Sequence, residues 1–409
     1  MAHPTVHLVR RPGRARRRGG GTRSVRFEGL ELRLLDLSLR QPVGTAVGVH
    51  RHRPVAFARV LTDETEGWGE CGALPDGTAV DPPIAEVWPA LADAADRLAD
   101  AASARGGSLP PASQVAALFD AGPVGRLVAA TVEMAVLDAE LRAAGTPLWR
   151  RLGVDPAAAD RGVLAGAVAG IPVDRRPETL IAQVAAAVER GAARVRLKIE
   201  PGWDVAPVQA VRAAFPELRL QVDANGSYRL GAGGQRDAMR LAGLDDLAVA
   251  CVEQPLPPAD LTSHATLARQ LRTPVCLDES LTGLRRLVDA LRYRACGVAC
   301  CKPARLGGLL AARRAQARCQ EAGVPAFVGG LFETGLGRSA NAALAGLPGF
   351  PWPGDLSDPA SYLVGDPFPY PGTTGGRVPL AEVAGVGAPP DAGALARATA
   401  EVVWRPSHR

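Results

Sequence analysis

No uninterrupted apolar stretch in this 409-residue chain approaches the ~18–20 residues that a membrane span needs. The first residues also lack the apolar segment that directs secretion. Both absences lead to the expectation of a cytoplasmic protein. The seven cysteines, Cys71, Cys251, Cys276, Cys296, Cys300, Cys301 and Cys319, include no CxxC pair and none of the spacings of zinc sites. Thiols set in apolar runs read instead as small core residues in a reducing compartment, and the six histidines show no metal spacing. No glycine-rich GxGxxG turn follows a strand pattern, so the signature of a doubly wound dinucleotide-binding sheet is missing.

Charge asymmetry is confined to one end. Residues 1–24 carry seven arginines and no acidic residue, and without them the formal net charge of +5 becomes −2. The remainder is mildly acidic and gives no ground for a nucleic-acid partner. A Gly/Arg-rich stretch without apolar periodicity is read as a disordered extension, or as residues upstream of the true start. With 47% apolar residues, the rest is globular and long enough for a large core and two domains.

Residues 25–155 read as an α+β unit. Strand-like pieces, RFEGLELRLLDLSL and PVAFARVLTDETEGWGEC, flank a turn-like QPVGTAVGVHRHR. IAEVWPALADAADRLADAASA and GRLVAATVEMAVLDAELRAAG then place apolar residues at helical spacing. Over residues 156–365 the rhythm changes: a short apolar strand ends in a polar residue, and an Ala-rich amphipathic helix follows. The strand ends are KIEPG, VDANG, VEQP, LDES, CKPARLGG and VGGLFETG, and Lys198, Asp223, Glu253, Asp278 and Lys302 stand 25, 30, 25 and 24 residues apart. That interval is the length of one βα unit, so the fold class is α/β: a parallel TIM-like barrel with an α+β capping domain. Residues 366–409, rich in Pro and Gly and weakly periodic, are expected to pack back on the capping domain.

The C-terminal strand ends of such a barrel converge on one mouth. Asp223, Glu253 and Asp278 each close an apolar run, LQV, ACV and VCL. One carboxylate at such a place is read as a cap or loop residue, but three at successive strand ends form a set of mutually repelling anions that calls for a cation. Hard oxygen donors suit Mg²⁺, and Mn²⁺ next, better than zinc. Lys198 lies one strand before the carboxylates and Lys302 one strand after. In a closed barrel the two amines would flank the ion. Beside a divalent cation and partly desolvated, a lysine is expected to have a lowered pKa and to serve as a base. The ion would hold a substrate carboxylate and steady the enediolate left when an α-proton departs. Taken alone, VRLKIEPGWD alternates as a strand and reads Lys198 as a solvated side chain on its wet face.

The strings VEMAVLDAELRA (132–143), VRLKIEPGWD, LQVDANGSY, VEQPL, CLDES, CKPARLGG, GGLFETGLGRSANAALAGLP and PGDLSDPASYL, in that order, resemble the muconate-lactonizing subgroup of the enolase superfamily. Within it they are similar to the o-succinylbenzoate synthases and N-succinylamino acid racemases. The resemblance runs from about residue 25 through nearly the whole chain. It implies an α+β capping domain over a (β/α)₇β barrel, Mg²⁺ at Asp223, Glu253 and Asp278, and Lys198 and Lys302 as acid/base lysines. It also implies a small carboxylate substrate and a homo-oligomer; neither nucleic acid nor membrane is expected as a partner. Where the family carries Lys-x-Lys, this chain has Arg196 and Lys198. Arg196 is then either a fixed cation that cannot trade protons or a long polar side chain on the strand.

Asn225 and Glu279 are read as groups that orient the metal ligands and Lys302, or as turn residues. Gly329 and Gly330 leave room for substrate or permit a tight turn. Glu333 is a hydrogen-bond acceptor near the mouth. Arg305 resembles an arginine of racemase-capable relatives, with a solvated loop arginine as the plainer reading. GTAVGVHRHR (44–53), with Gly44, Thr45 and Gly48, matches the position of a mobile loop that closes over substrate in the family. The first activity implied is that of an o-succinylbenzoate synthase. This carbon–oxygen lyase of menaquinone biosynthesis dehydrates 2-succinyl-6-hydroxy-2,4-cyclohexadiene-1-carboxylate. N-succinylamino acid racemisation is the alternative. A muconate-type cycloisomerase or a dipeptide epimerase lies further off, and no Asp-x-Asp motif follows Lys302-Pro303-Ala304. A catalytically silent metal-binding barrel is the non-enzyme alternative, against which the retention of two lysines and three carboxylates stands.

Overall fold

The computed structural model describes residues 25–45, 48–230 and 235–407. The basic stretch 1–24, and Ala46 and Val47 within the 44–53 segment, lie outside the described residues. The chain forms an antiparallel sheet domain and a nearly closed parallel barrel. No helix among the described residues is long and apolar enough to cross a membrane.

In the first sheet, β1 (Phe27–Thr45) pairs along its length with β2 (Gly48–Thr62), and β3 (Glu66–Glu70) continues the meander. The segment QPVGTAVGVHRHR, expected as a turn, is largely strand. Pairing continues through Val43↔His50, Gly44↔Val49 and Thr45↔Gly48, because the cross-strand ladder resumes after an irregularity beyond Ser38. Alternation explains the buried leucines. Leu30 and Leu32 face the core, a bulge between Leu34 and Leu35 shifts the pattern by one residue, and Leu35 and Leu37 take over the inward face.

Against this face pack α1 (Ile84–Ser103) and α2 (Pro123–Ala144). The first is amphipathic, whereas α2 is buried almost all round because the sheet lies on one side of it and the barrel on the other. Gly67 and Gly69 let β3 touch it directly: a Cβ at Gly69 would sit 2.0 Å from the Thr131 carbonyl oxygen.

The barrel strands are β4 (Val163–Ala169), β5 (Arg194–Lys198), β6 (Leu220–Asp223), β7 (Val252–Glu253), β8 (Val275–Leu277), β9 (Val298–Cys301), β10 (Ala326–Val328) and β11 (Gly354–Asp355). Their order is β10-β9-β8-β7-β6-β5-β4-β11, all parallel. A helix of eight or more residues follows each strand from β4 to β10, among them α3 (Leu309–Glu321) after β9. The result is seven βα units and a closing strand, in agreement with the expected α/β barrel. The later chain returns to both sheets. Short strands β12 (Leu363–Val364) and β14 (Thr399–Pro406) extend the first sheet along β1, and β13 (Arg377–Val378) pairs with β4.

Barrel strands are buried on both faces, so their alternation separates two kinds of interior rather than wet from dry. In β5, Val195 and Leu197 are buried in the apolar core while Arg194 and Arg196 point into the barrel; both are buried. Thus the alternation that suggested a solvated face marks the barrel lumen. The lumen is ionic on one side, where Arg194, Arg196 and Gln221 meet. On the other side Cys251, Cys276, Val298, Cys300 and Phe327 cluster. Arg194 bridges the two by lying 5.0 Å over the Phe327 ring. All seven cysteines are free and buried.

Cap and barrel are joined through a buried acid. Glu133 of α2 accepts a hydrogen bond of 3.0 Å from the backbone N–H of Leu310, in the first turn of α3. Gly308, at φ +131°, makes that approach possible, since a Cβ there would meet Glu133 Oε1 at 2.3 Å. Burial pushes the Glu133 carboxyl up to about 7, against the hydrogen bonds from α3. The folded protein therefore binds more protons than the unfolded chain above pH ~4.5, and this group's contribution to stability is lost as pH rises through about 7. Urea titrations from pH 5 to 8 should show a shallower loss of stability in Glu133→Gln, which keeps an acceptor and carries no charge. Equal slopes would remove Glu133 from the pH dependence.

Candidate active site

Hydrogen-bond register brings the first site residues together. Lys198 pairs with Asp223 across β5–β6, and Asp223 with Glu253 across β6–β7, so three strand ends set three side chains in one row. Asp278 follows the end of β8 and Lys302 the end of β9. Around the eight strands, β5 and β9 are separated by β6, β7 and β8 in one direction and by β10, β11 and β4 in the other. Lys198 and Lys302 thus rise from opposite sides of the mouth, with the carboxylates on the strands between them.

Each carboxylate is met by a cation. Lys198 Nζ donates to Asp223 Oδ2 at 2.7 Å and to Asn225 Oδ1 at 2.6 Å. Arg196 Nη1 donates to both oxygens of Glu253, at 2.6 and 2.8 Å, while its Nη2 reaches Asp355 at 2.6 Å. Lys302 Nζ donates to Asp278 Oδ2 at 2.7 Å, and Arg305 Nη1 binds Asp278 Oδ1. Arg196 is therefore a fixed cation, the first of its two readings. Arg305 is not a solvated loop residue: it is 2% exposed and bound to two carboxylates, because the short helix Pro303–Leu306 turns it under the cap.

Burial raises the Asp278 carboxyl, but Arg305 and Lys302 outweigh it and hold the group at about 2. Glu253 behaves oppositely. Burial, aided by Asp223, Asp278 and Asp355, pushes it up to about 8 against Arg196. Glu279 is also raised, by burial first and then by Asp278 and Asp223. Burial lowers the Lys302 ammonium, yet Asp278 prevails and its net shift is upward. The lowered lysine pKa expected from sequence is that of an amine beside a divalent cation, a charge outside this balance of protein groups. Protein groups alone favour the ammonium, and a lowered value requires positive charge on the far side of Asp278.

The donor atoms at the mouth are mostly those a hard divalent ion takes. Glu253, Asp278 and Cys300 offer ligand atoms all within 4.8 Å of one another, whereas Asp223 stands outside this close group. Its Oδ2 is engaged by Lys198 and its Oδ1 by the backbone N–H of Asn225 at 3.0 Å. Two buried carboxylates in close approach, Glu253 and Asp278, and a third, Asp223, beside Glu253 in register form a hard oxygen donor set that fits Mg²⁺. Cys300 supplies a soft atom that a hard ion does not favour.

Other expected residues fall around this centre. Asn225, at φ +44°, donates from Nδ2 to Glu279 Oε1 at 2.7 Å and so links Lys198 to the β8 loop. Glu279 Oε2 is buried without a hydrogen-bond partner among the described residues. Glu333 accepts from the Leu331 N–H at 2.8 Å and Asn341 Nδ2 at 3.1 Å, and lies 3.4 Å from Arg338. The space beside Gly329 and Gly330 is taken by protein, not left for substrate. A Cβ at Gly329 would meet Cys300 Sγ at 2.4 Å and Lys302 Cε at 2.9 Å, and one at Gly330 would meet Arg338.

Several residues escaped the sequence reading. Asp355 ends β11 and binds Arg194 at 2.7 Å as well as Arg196, and the strand-end rule that found the other carboxylates applies to it equally. Gln254, in the unusual φ of +38°, accepts from the N–H groups of Asp278 and Ser280 and donates to Ser280 Oγ, fixing the β8 loop that carries Asp278. Glu70, at the end of β3, accepts from Thr334 and Gly337, and burial raises it to about 7. Asp81 joins the cap to Arg305.

Over residues 179–394 the chain matches the family described as enolase C-terminal domain-like. The chain belongs to the enolase superfamily. An N-succinylamino acid racemase from Amycolatopsis sp. is 38% identical over 394 residues, covering 93% of this chain and 99% of that one. An o-succinylbenzoate synthase from Geobacillus kaustophilus is 32% identical over 340 residues, 83% of this chain and 86% of its own. The solved structure of an enolase-superfamily member from Roseovarius nubinhibens, complexed with magnesium, has a TM-score of 0.77 and 25% identity, covering 93% of this chain and 100% of its own. Such relatives support an enzyme.

In this superfamily member, the position of Lys302 depends on the bare backbone at Gly329. With Lys302 read as an acid/base group, Gly329→Ala is expected to push the Lys302 side chain aside by up to about 1 Å and lower turnover by up to about 100-fold, with circular dichroism unchanged. Full activity in that variant would show that the lysine tolerates displacement.

Proposed function

We propose that this enolase-superfamily enzyme removes the α-proton of a small carboxylate bearing a succinyl group, with Mg²⁺ at Asp223, Glu253 and Asp278, and that its reaction is the o-succinylbenzoate synthase dehydration. The observation that carries the reading is the placement of Lys198 and Lys302 on opposite sides of the mouth with the carboxylates between them. Bound there, Mg²⁺ would polarise the substrate carboxylate and stabilise negative charge developing on its oxygens; Mn²⁺ is the substitute expected to serve.

In this reading Lys198, as a neutral amine, takes the α-proton, and the C–H electron pair passes into the carboxylate to give an enediolate. The same ammonium then returns the proton to the departing hydroxyl, the C–O bond breaks, water leaves, and the ring becomes aromatic. Asp223 and Asn225 hold the Lys198 amine in place, and its side chain is 30% exposed, so solvent can take or supply a proton between turnovers. Lys302 contributes positive charge on the opposite side of the ring. Since aromatisation drives the step, one base is enough.

Racemisation of N-succinyl amino acids is the second reading, favoured by the same opposed lysines and by the racemase at 38% identity. Here one lysine removes the α-proton from one face and the other delivers a proton to the opposite face, so both are required. Loss of diene absorbance and polarimetry with N-succinyl amino acids read the two reactions separately. Lys198→Ala should lower both by about 10³-fold or more, whereas Lys302→Ala should abolish racemisation and spare part of the dehydration. Full dehydration by Lys198→Ala would sink the mechanism. Chelation with EDTA should silence both reactions and added Mg²⁺ restore them; activity that survives chelation would remove the metal from the proposal.

A further inference from the structure

Arg305 is a buried guanidinium shared between two domains. Its Nη1 holds Asp278 Oδ1, while Nε lies 3.2 and 3.0 Å from the two oxygens of Asp81, and Nη2 lies 2.5 Å from Asp81 Oδ2. Asp81 belongs to the cap, in the segment between β3 and α1, and stands 224 residues from Arg305. It is itself held in place: Thr78 Oγ1 donates to Asp81 Oδ2 at 3.0 Å and accepts from the Asp81 N–H at 3.0 Å, and the Thr78 N–H bonds the Asp81 carbonyl at 2.8 Å. Neighbouring Arg126, about half buried, donates to the Ala121 carbonyl at 2.6 Å and adds a second positive charge that Asp81 feels without hydrogen-bonding it.

Formal charges show what this arrangement does. Asp278, Lys302 and Arg305 alone sum to +1 at a buried place, and Asp81 makes the group of four neutral. Without Asp81, the full charge of Arg305 would fall on Asp278, the carboxylate read above as a metal ligand, and would repel a divalent cation there. We propose that Asp81 is a positioning residue: by binding the far side of Arg305 it sets how much of that charge Asp278 feels, and so ties the cation affinity of the barrel mouth to the seating of the cap segment. This rests on the reading of Asp223, Glu253 and Asp278 as the metal site.

Mn²⁺ binding to the full-length protein, followed by the electron paramagnetic resonance signal of the free ion, tests it without reference to turnover. Wild type is expected to bind Mn²⁺, and Asp81→Asn, which keeps the side-chain shape, to bind about tenfold more weakly. In an Arg305→Gln background, Asp81→Asn should cause no further loss beyond about twofold, because its effect passes through Arg305. Thr78→Val, which frees Asp81 while leaving its charge, should weaken binding about threefold and carries the test if Asp81→Asn fails to fold. Unchanged affinity in Asp81→Asn, or in Thr78→Val where Asp81→Asn does not fold, overturns the inference. So does an equal loss in both backgrounds. Wild-type protein that binds no Mn²⁺ overturns the metal reading and the inference with it, an outcome distinct from wild-type binding with indifferent variants.

Discussion

Charge compensation among buried side chains governs the mouth of this barrel. Asp223, Glu253, Asp278 and Asp355 are all buried, and each is met within hydrogen-bond distance by Lys198, Arg196, Lys302, Arg305 or Arg194. Buried ions are costly, and removal of one partner leaves the other uncompensated. The set is therefore interdependent: Arg196 divides itself between Glu253 and Asp355, and Asp278 is divided between Lys302 and Arg305. A cation entering this set shifts the division of charge rather than filling an otherwise neutral hole.

Backbone architecture supplies the precision that such a set demands. Register across β5, β6 and β7 fixes Lys198, Asp223 and Glu253 relative to one another without reliance on loops. The loop after β8 has no ladder to define it, and Gln254 does that work from β7 by binding the N–H groups on either side of Glu279. Gly308 and Gly329 serve the same end by omission, since one leaves space that the Glu133 carboxylate occupies and the other space taken by the Cys300 thiol and the Lys302 stem. The cap is not a passive cover, because Glu133 grips α3 and Asp81 grips Arg305, and both reach the barrel beside β9.

Much of the barrel and its centre was legible because one rule generates both. A strand buried on two faces must be apolar until it ends, so Asp223, Glu253 and Asp278 announce themselves as the first charges after such runs, at βα spacing. Lys198 was legible only through its spacing to those carboxylates, since the alternation around it gave the wrong impression of a wet face. Asp81, Glu70 and the fate of Arg305 were not legible. They depend on contacts between cap and barrel at separations above 200 residues, and no periodic pattern encodes which loop side chain meets which. The extent of β1 and β2 was hidden similarly, because Gly and Pro in QPVGTAVGVHRHR signal a turn while the long ladder carries strand pairing through them.

The two amines differ in their access to solvent: the Lys198 side chain is 30% exposed and that of Lys302 is 10% exposed, with Arg305 and the cap beside it. In the proposed reaction, an isotope carried by Lys198 would therefore wash out into bulk water sooner than one carried by Lys302. The two faces of a bound carbon would keep unequal memories of where their hydrogen came from, although the strands that hold the amines are arranged almost symmetrically.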